Sequence, residues 1–334
     1  MKKVKNRWII ALCAVGIHLS IGSVYAWSVF TNPLAERFGW SLSQISLTFS
    51  IAILFLGLSA AFLGHFVEKH GPRKAGMLAA FFFGTGVTFS GVAVLGLCYF
   101  LIMLCSSLYL SPPETDWQPK GLSSEKSKRP RSTDLSQLTA NEAVKTRRFY
   151  YLWLMLFINV TCGIAIISIA SPLAQESAGM SAAGAAALVG VLGAFNGLGR
   201  IGWASISDYI GRPNTYTAFF AAQLIAFPLL PFMTDHIMFS IFMALIYTCY
   251  GGGFAAIPAY IGDLFGTKQL GAIHGYMLTA WAAAGLAGPM FSSWIRDVTG
   301  SYSQSLAVFA VLFGIGLCLS IFIRADMKQL RKKA

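Results

Sequence analysis

Runs of about 20 apolar residues, the length a helix needs to cross roughly 30 Å of hydrocarbon, recur along this chain from one end to the other. No water is present inside a bilayer to pair backbone amides, so such runs must be helices; a barrel would alternate apolar and polar positions instead. Composition agrees: of 334 residues 56% are hydrophobic and only 11% charged, with 26 Phe, a surface that a water-soluble domain does not tolerate. The expected fold is all-α, a polytopic membrane protein.

Between two of these runs lies the polar hinge Gly64-His-Phe-Val-Glu68-Lys-His-Gly71-Pro-Arg73-Lys74, and most of it returns as Ala204-Ser-Ile-Ser-Asp208-Tyr-Ile-Gly211-Arg212. The upstream sequence matches too: Pro33-Leu-Ala-Glu and Gly39-Trp-Ser41 answer to Pro172-Leu-Ala-Gln and Gly179-Met-Ser181. From Ser41 to Glu68 is 27 residues, as it is from Ser181 to Asp208. A helix, hinge, helix pattern repeated in this register implies two related helical bundles.

The net charge of +12 is distributed by side. Of the 25 Lys and Arg, all but Arg37, Arg200 and Arg296 fall in the N-terminus, the first hinge, the central segment, the Arg212 and Lys268 connections and the C-terminal tail. That asymmetry places both termini and the central segment in the cytoplasm, with the cell membrane as the expected location and nucleic acid excluded as a partner. The six cysteines all sit in apolar runs and read as small hydrophobes. Lys2 to Arg7 followed by an apolar run has the outline of a signal peptide, but the run is too long, and it reads as an uncleaved first helix ended by Asn32-Pro33.

The two halves differ in length. Between Lys74 and Pro112 stand 37 residues, whereas 110 separate Asn214 from Arg324, so the first half is short by about 73 residues, close to one membrane hairpin. The block 77–110 is too long for one crossing and short for two. Two crossings, breaking near Gly91 to Gly96, keep the basic central segment on the cytoplasmic side. The expected organisation is a shortened N-terminal bundle at 1–111, a solvated linker at 112–148 rich in Ser, Pro, Lys and Glu, and a six-helix bundle at 149–334, about four plus six helices. The basic run of the linker reads most plainly as a cytoplasmic retention signal; a partner-binding role is the other reading.

All 13 Asp and Glu lie in hinges, loops or span ends, which argues against a buried proton or cation relay. Nucleotide-binding, metal-ligating and hydrolase motifs are missing, so the chain is not expected to be an enzyme and no cofactor or metal is expected. One ion sits within a span: Arg200, in Phe195-Asn-Gly-Leu-Gly-Arg200-Ile-Gly-Trp203, about six residues from the expected helix end. Two readings stand for it, a guanidinium that snorkels to headgroups or one whose missing partner is an anionic ligand. The hinge residues Gly64, Glu68, Gly71, Arg73, Asp208, Gly211 and Arg212 read either as tight turns or as a gate latch between helix ends. His18, mid-span in the first helix, is either a satisfied core residue or a proton-coupling group. Gly251 to Gly253 and Pro258 are expected to loosen their helix for bending.

Gly64-x-x-x-Glu68-x-x-Gly71-x-Arg73-Lys74 resembles the hinge signature of the major facilitator superfamily, with Glu where Asp is usual. Within it, Tyr25-Ala-Trp27-Ser-Val-Phe30, Asn196-Gly-Leu-Gly-Arg200, Tyr250-Gly-Gly-Gly-Phe254-Ala-Ala-Ile-Pro258-Ala-Tyr260 and Phe265-Gly-Thr-Lys-Gln-Leu-Gly-Ala-Ile-His274-Gly resemble the oxalate/formate antiporter family. The resemblance implies a two-bundle secondary transporter of a small organic anion, monomeric in a lipid bilayer, working by alternating access, and it implies twelve spans, of which the fourth and fifth are missing here. Arg200 matches one of the family's two substrate-binding cations. Trp281, in Leu278-Thr-Ala-Trp281-Ala, stands at the second, and this exchange implies a monocarboxylate such as formate, pyruvate or lactate in preference to oxalate. Tyr25, Tyr250, Phe254 and Trp281 would then wall the site, each with helix packing as its plainer reading. The rival expectations are an internally deleted, transport-inactive variant and a membrane sensor signalling through the linker.

Overall fold

The computed structural model describes residues 6–89, 93–111 and 137–333, without the side chains of Gly64, His65, Glu68, Phe89 and 329–333. Regular structure among them is helical throughout: α1 Arg7–Gly22, a 3-10 segment Ser23–Phe30, α2 Thr31–Phe38, α3 Leu42–Phe89, α4 Ala93–Tyr109, the single turn α5 Ala140–Ala143, α6 Arg147–Ala178, α7 Ala182–Ile210, α8 Arg212–Leu229 with a 3-10 turn Leu230–Phe232, α9 His236–Phe265, α10 Leu270–Thr299 and α11 Ser303–Lys333. Seven described segments, Arg7–Phe38, Leu42–Leu63, Arg147–Ala178, Ala182–Ile210, Arg212–Phe232, His236–Phe265 and Ser303–Lys328, are long and apolar enough to span a bilayer. The protein is a multi-pass membrane protein.

The repeat has a backbone signature. Gly39 (φ 66, ψ 20) and Gly179 (φ 65, ψ 23) end α2 and α6 in the left-handed region. Gly71 (φ 81, ψ 166) breaks α3 into two helices, and Gly211 (φ 84, ψ 149) separates α7 from α8. Each pair lies 140 residues apart, and only glycine adopts these angles without a steric penalty. Helix starts are capped alike: the Ser41 hydroxyl accepts from Gln44 N at 3.3 Å and Ser181 from Gly184 N at 3.1 Å. Proline departs from expectation. Pro33 lies inside the first turn of α2, and α6 continues past Pro172 to Ala178. In a first turn the missing N–H has no intrahelical partner to lose.

Contacts divide the chain into two compact units, Met1–Val24 with Phe62–Arg131, and Tyr25–Ala61 with Ser132–Ala334. In the first, the second part of α3 and α4 form an antiparallel hairpin. A Cβ on Gly76 would meet Ser107, one on Gly84 Phe100, and one on Gly96 Thr88, and the rings of Phe83 and Tyr99 lie 5.8 Å apart. Of the break expected near Gly91 to Gly96, residues 91 and 92 lie outside the described residues and Gly96 lies within α4. At 1.5 Å per residue the two arms, 72–89 and 93–109, are each about 26 Å long, short for a bilayer. Asn6 N donates to the Tyr109 hydroxyl (3.3 Å), so the start of α1 and the end of the hairpin share a side.

In the second unit, the first part of α3 runs antiparallel to α10 through small residues. Gly57 abuts Ala282, Gly285 abuts Ile53, and the Ser46 and Ser293 hydroxyls bond. Asp297 of α10 accepts from the backbone N–H of Leu42 (3.2 Å) and Ser43 (3.0 Å), satisfying orphan donors at the α3 start. Nearby, Arg296 pairs with Glu176 at 2.6 Å. α6 is buried almost throughout.

The glycine triplet of α9 is a packing node, which corrects the expectation of a flexible hinge. A Cβ on Gly251 would strike Asn196 of α7, one on Gly252 would stand 2.7 Å from Trp203 of α7, and one on Gly253 would strike Asn159 of α6. Across the same seam a Cβ on Gly199 would lie 2.5 Å from the Thr248 backbone. α7 and α9 therefore meet almost backbone to backbone, as small residues permit in a membrane. Gly251→Ala is expected to lower thermal stability in detergent, by about 1–3 kcal/mol. Gly193→Ala, where a Cβ meets nothing within 4 Å, is expected to leave it unchanged; fluorescence-detected size exclusion after heating measures both.

Candidate functional site

The close α7–α9 seam sets Arg200 against the aromatic face of α9. Its guanidinium carbon lies 5.8 Å from the centroid of the Phe254 ring, within cation–π range. From Phe254 an edge-to-face series runs both ways, to Trp281 of α10 (5.3 Å, 77°) and to Tyr250 (5.3 Å, 70°). Tyr250 continues to Tyr25 in the 3-10 segment (6.2 Å, 75°), with the two hydroxyls 3.5 Å apart. The five residues singled out in the sequence thus form one contiguous group drawn from four elements. Tyr250 is wholly buried, its ring packed where Gly163 of α6 leaves room, while Tyr25, Arg200, Phe254 and Trp281 are half-buried.

Polarity in the group is almost all donor. Arg200 forms no ion pair with a carboxylate among the described residues. The Trp281 indole N–H is buried beside the Tyr250 hydroxyl. Arg200 stands ten residues before the end of α7 at Ile210, about 15 Å along the helix, deeper than the sequence suggested because α7 runs on to the glycine at 211. Of two grooves elsewhere in this unit, the one between α8 and α11 near Leu224 and Gly314 is walled by apolar residues, and the one between α7 and α9 near Phe195 and Ile237 includes His236 and Ser240.

Other sequence candidates lie apart from this group. His18 is exposed on α1, its Nδ1 2.9 Å from the Ala14 carbonyl, so it is not the enclosed residue expected. The side chains of Gly64 and Glu68 fall outside the described residues; Gly71 holds the kink and Arg73 is exposed just beyond it. In the second copy, Arg212 pairs with Asp208 at 2.6 Å and lies 3.8 Å from Asp263 of α9. Both partners belong to the same unit, so in this conformation Arg212 laces the ends of α7, α8 and α9 to one another. Sequence reasoning missed a buried amide pair, Gln223 Nε2 donating to Asn159 Oδ1 (2.9 Å), and beside it the Tyr216 hydroxyl donating to the Gly253 carbonyl (2.8 Å). Amides within apolar runs were its only signal.

The described end of the linker is docked as well. Leu138 N donates to the Phe265 carbonyl (2.9 Å) and Ala140 N to Gln269 Oε1 (2.8 Å), strapping residues 138–140 to the α9–α10 turn. A capping box joins Thr139 and Glu142.

The family model of the Major Facilitator Superfamily matches residues 76–289 and 152–334, more than half of the chain. The chain belongs to the major facilitator superfamily. This transporter-family chain is similar to the oxalate:formate antiporter of Oxalobacter formigenes, 24% identical with 98% of this chain and 94% of that one covered, in agreement with the motif resemblance. That pairing extends over 396 positions, at least 62 more than the 334 residues here, so the antiporter has positions without a counterpart in this facilitator. A shorter likeness, 33% identical over 27% of this chain and 17% of the relative, joins it to monocarboxylate transporter 14 of Mus musculus. A bacterial homologue of the human lysosomal transporter Spinster, solved inward-facing and unoccupied, shares the fold with a TM-score of 0.61 at 12% identity, covering 97% of this chain and 98% of that one.

Hydrogen bonds from the Thr139 backbone and hydroxyl hold the Glu142 carboxyl below its usual range. A carboxylate lowered in this way supports the strap above its ordinary pKa and ceases to do so as pH falls through the lowered value. The protection of the Ala140–Ala143 amides, exchange measured against the intrinsic rate at each pH, is therefore expected to fall as the pH is lowered through and below the ordinary carboxylate range, and Glu142→Ala to show the low protection already at neutral pH.

Proposed function

We propose that the protein is a secondary transporter that carries a small monocarboxylate, such as formate, pyruvate or lactate, across the cell membrane by alternating access. One observation carries this reading: a guanidinium at mid-helix without a carboxylate partner among the described residues, set against the ring of Phe254 and, through it, those of Tyr250 and Trp281. An embedded charge of this kind is costly unless paired, and a carboxylate supplies the pair, with one oxygen on Arg200 and another within reach of Trp281 or the tyrosine hydroxyls. Trp281 in the place of a second base limits the site to one anionic group. A second carboxylate would meet the indole face, which attracts cations and repels anions. The names of the antiporter and of the monocarboxylate carrier support the substrate class.

Orientation follows from charge: both termini and the linker face the cytoplasm. In this reading the hinges around Gly71 and Gly211 gate the inner side. Glu68 and Arg73 in the first copy, and Asp208 and Arg212 in the second, exchange partners as the bundles rock. His18, exposed on α1, is the candidate group for proton coupling. The alternative, an internally deleted and inactive carrier, is favoured by the 396-position pairing with the antiporter.

Uptake of labelled formate, pyruvate, lactate and oxalate into proteoliposomes distinguishes these readings. Monocarboxylate uptake is expected, and inserted Arg200→Ala is expected to reduce it at least about a hundredfold, the scale of a lost charge-assisted bidentate contact. Trp281→Lys is expected to admit oxalate; an unchanged substrate profile in that variant would remove the paired-cation argument. No uptake of any of the four by the parent protein would leave the inactive carrier as the reading.

A further inference from the structure

Three wholly buried polar side chains form a cluster against Gly253 of α9: Asn159 of α6, and Tyr216 and Gln223 of α8. Gln223 Nε2 donates to Asn159 Oδ1 (2.9 Å) and to the Phe219 carbonyl (3.2 Å), and the Tyr216 hydroxyl donates to the Gly253 carbonyl (2.8 Å). The Asn159 amide takes up the space that a side chain at 253 would need. Asn159 lies 12 residues after the α6 start at Arg147, Gln223 11 after the α8 start at Arg212, and Gly253 12 before the α9 end at Phe265. All three are roughly 17 Å along their helices, close to the depth of Arg200.

Stability does not account for this cluster. Asn159 Nδ2 and Gln223 Oε1 are buried without a partner among the described residues, and an unmatched amide group in a dry interior costs more than an apolar side chain of the same shape. What the cluster supplies is a fixed point on α9. Pro258 has no N–H to give to the Phe254 carbonyl, so the α9 ladder lacks a rung between 254 and 258. In hydrocarbon such a turn is held by its neighbouring helices. Tyr216 provides that hold one residue earlier, at the Gly253 carbonyl, and Asn159 sets how closely α6 approaches there. Phe254, the next residue, carries the ring that lies 5.8 Å from the Arg200 guanidinium carbon and 5.3 Å from the Trp281 ring.

We propose that Asn159, Tyr216 and Gln223 are positioning residues of the candidate site: through Gly253 they fix the turn of α9 that aims the Phe254 ring at Arg200 and Trp281. None of the three needs to touch an anion. Their removal changes where the ring stands, and with it the spacing between the guanidinium and the aromatic wall.

The eight tryptophans permit a test that does not read transport. In the full chain, labelled at its indole nitrogens, the Trp281 resonance is identified by its loss in Trp281→Phe. Tyr216→Phe deletes one hydroxyl, and Gln223→Met replaces an amide with an apolar group of similar length. Each is expected to shift the Trp281 resonance while the protein stays monodisperse in size exclusion. Trp203, identified in the same way, is the local reporter, since its ring lies 5.0 Å from that of Phe219, which packs on Tyr216 at 5.4 Å. A shift at Trp203 with Trp281 unmoved would overturn the proposal. So would loss of the folded protein in both variants, because the cluster would then hold the unit together and not aim one ring. A second readout rests on the monocarboxylate reading. In proteoliposomes both variants are expected to raise the KM for uptake about fivefold with turnover little changed, the scale of one neutral hydrogen bond lost from a binding step. Turnover lowered at an unchanged KM would count against the positioning role; absence of uptake by the parent protein would remove the monocarboxylate reading alone and leave the indole shifts to decide.

Discussion

Helices in a bilayer gain little by burying apolar surface against one another, because lipid is as apolar as leucine; close van der Waals approach must hold them together. In this protein the approach is made by glycine at the α7–α9 seam, where an added methyl group on Gly199, Gly251 or Gly252 would collide with Thr248, Asn196 or Trp203 of the facing helix. The candidate site depends on that seam. Only with the two backbones nearly touching does the Arg200 side chain, rooted on α7, reach the Phe254 ring on α9. From there the aromatic series ties α9 to α10 and to the 3-10 segment around Tyr25.

The two copies of the repeat are put to different use. The first part of α3 has a full-length antiparallel partner in α10, with Asp297 closing the α3 start and serines bonded midway. α7 carries the same pattern of small residues in the same register, but within its unit that face is open. The hinge glycines are alike in both copies because the chain reversal demands positive φ in each. Chain geometry is thus preserved between the copies.

Much of this organisation was legible in residue order. A break within the block 77–110 followed from its length and the charge rule; Arg200 stood out as the one ion within a span, and Tyr25, Tyr250, Phe254 and Trp281 came from the motif resemblance. His18 was misjudged because a position at mid-span says nothing about which way the side chain faces. The α9 glycines were misjudged because a run of three glycines reads as slack until the groups beside them, Asn159, Asn196 and Trp203, are known. The docking of residues 138–140 on the α9–α10 turn was invisible for a similar reason: its bonds come mostly from backbone amides, which every sequence supplies equally.

Residue order alone settled the class of fold, the two-copy plan and the lone mid-span cation, since apolar run length, glycine at obligatory positive φ and the position of charge are local, one-dimensional properties. Tertiary contact decided that Arg200, Phe254, Trp281, Tyr250 and Tyr25 form one group and that Arg212 serves its own unit. These depend on helix rotation and pairing, which arise from distances between residues up to 225 positions apart.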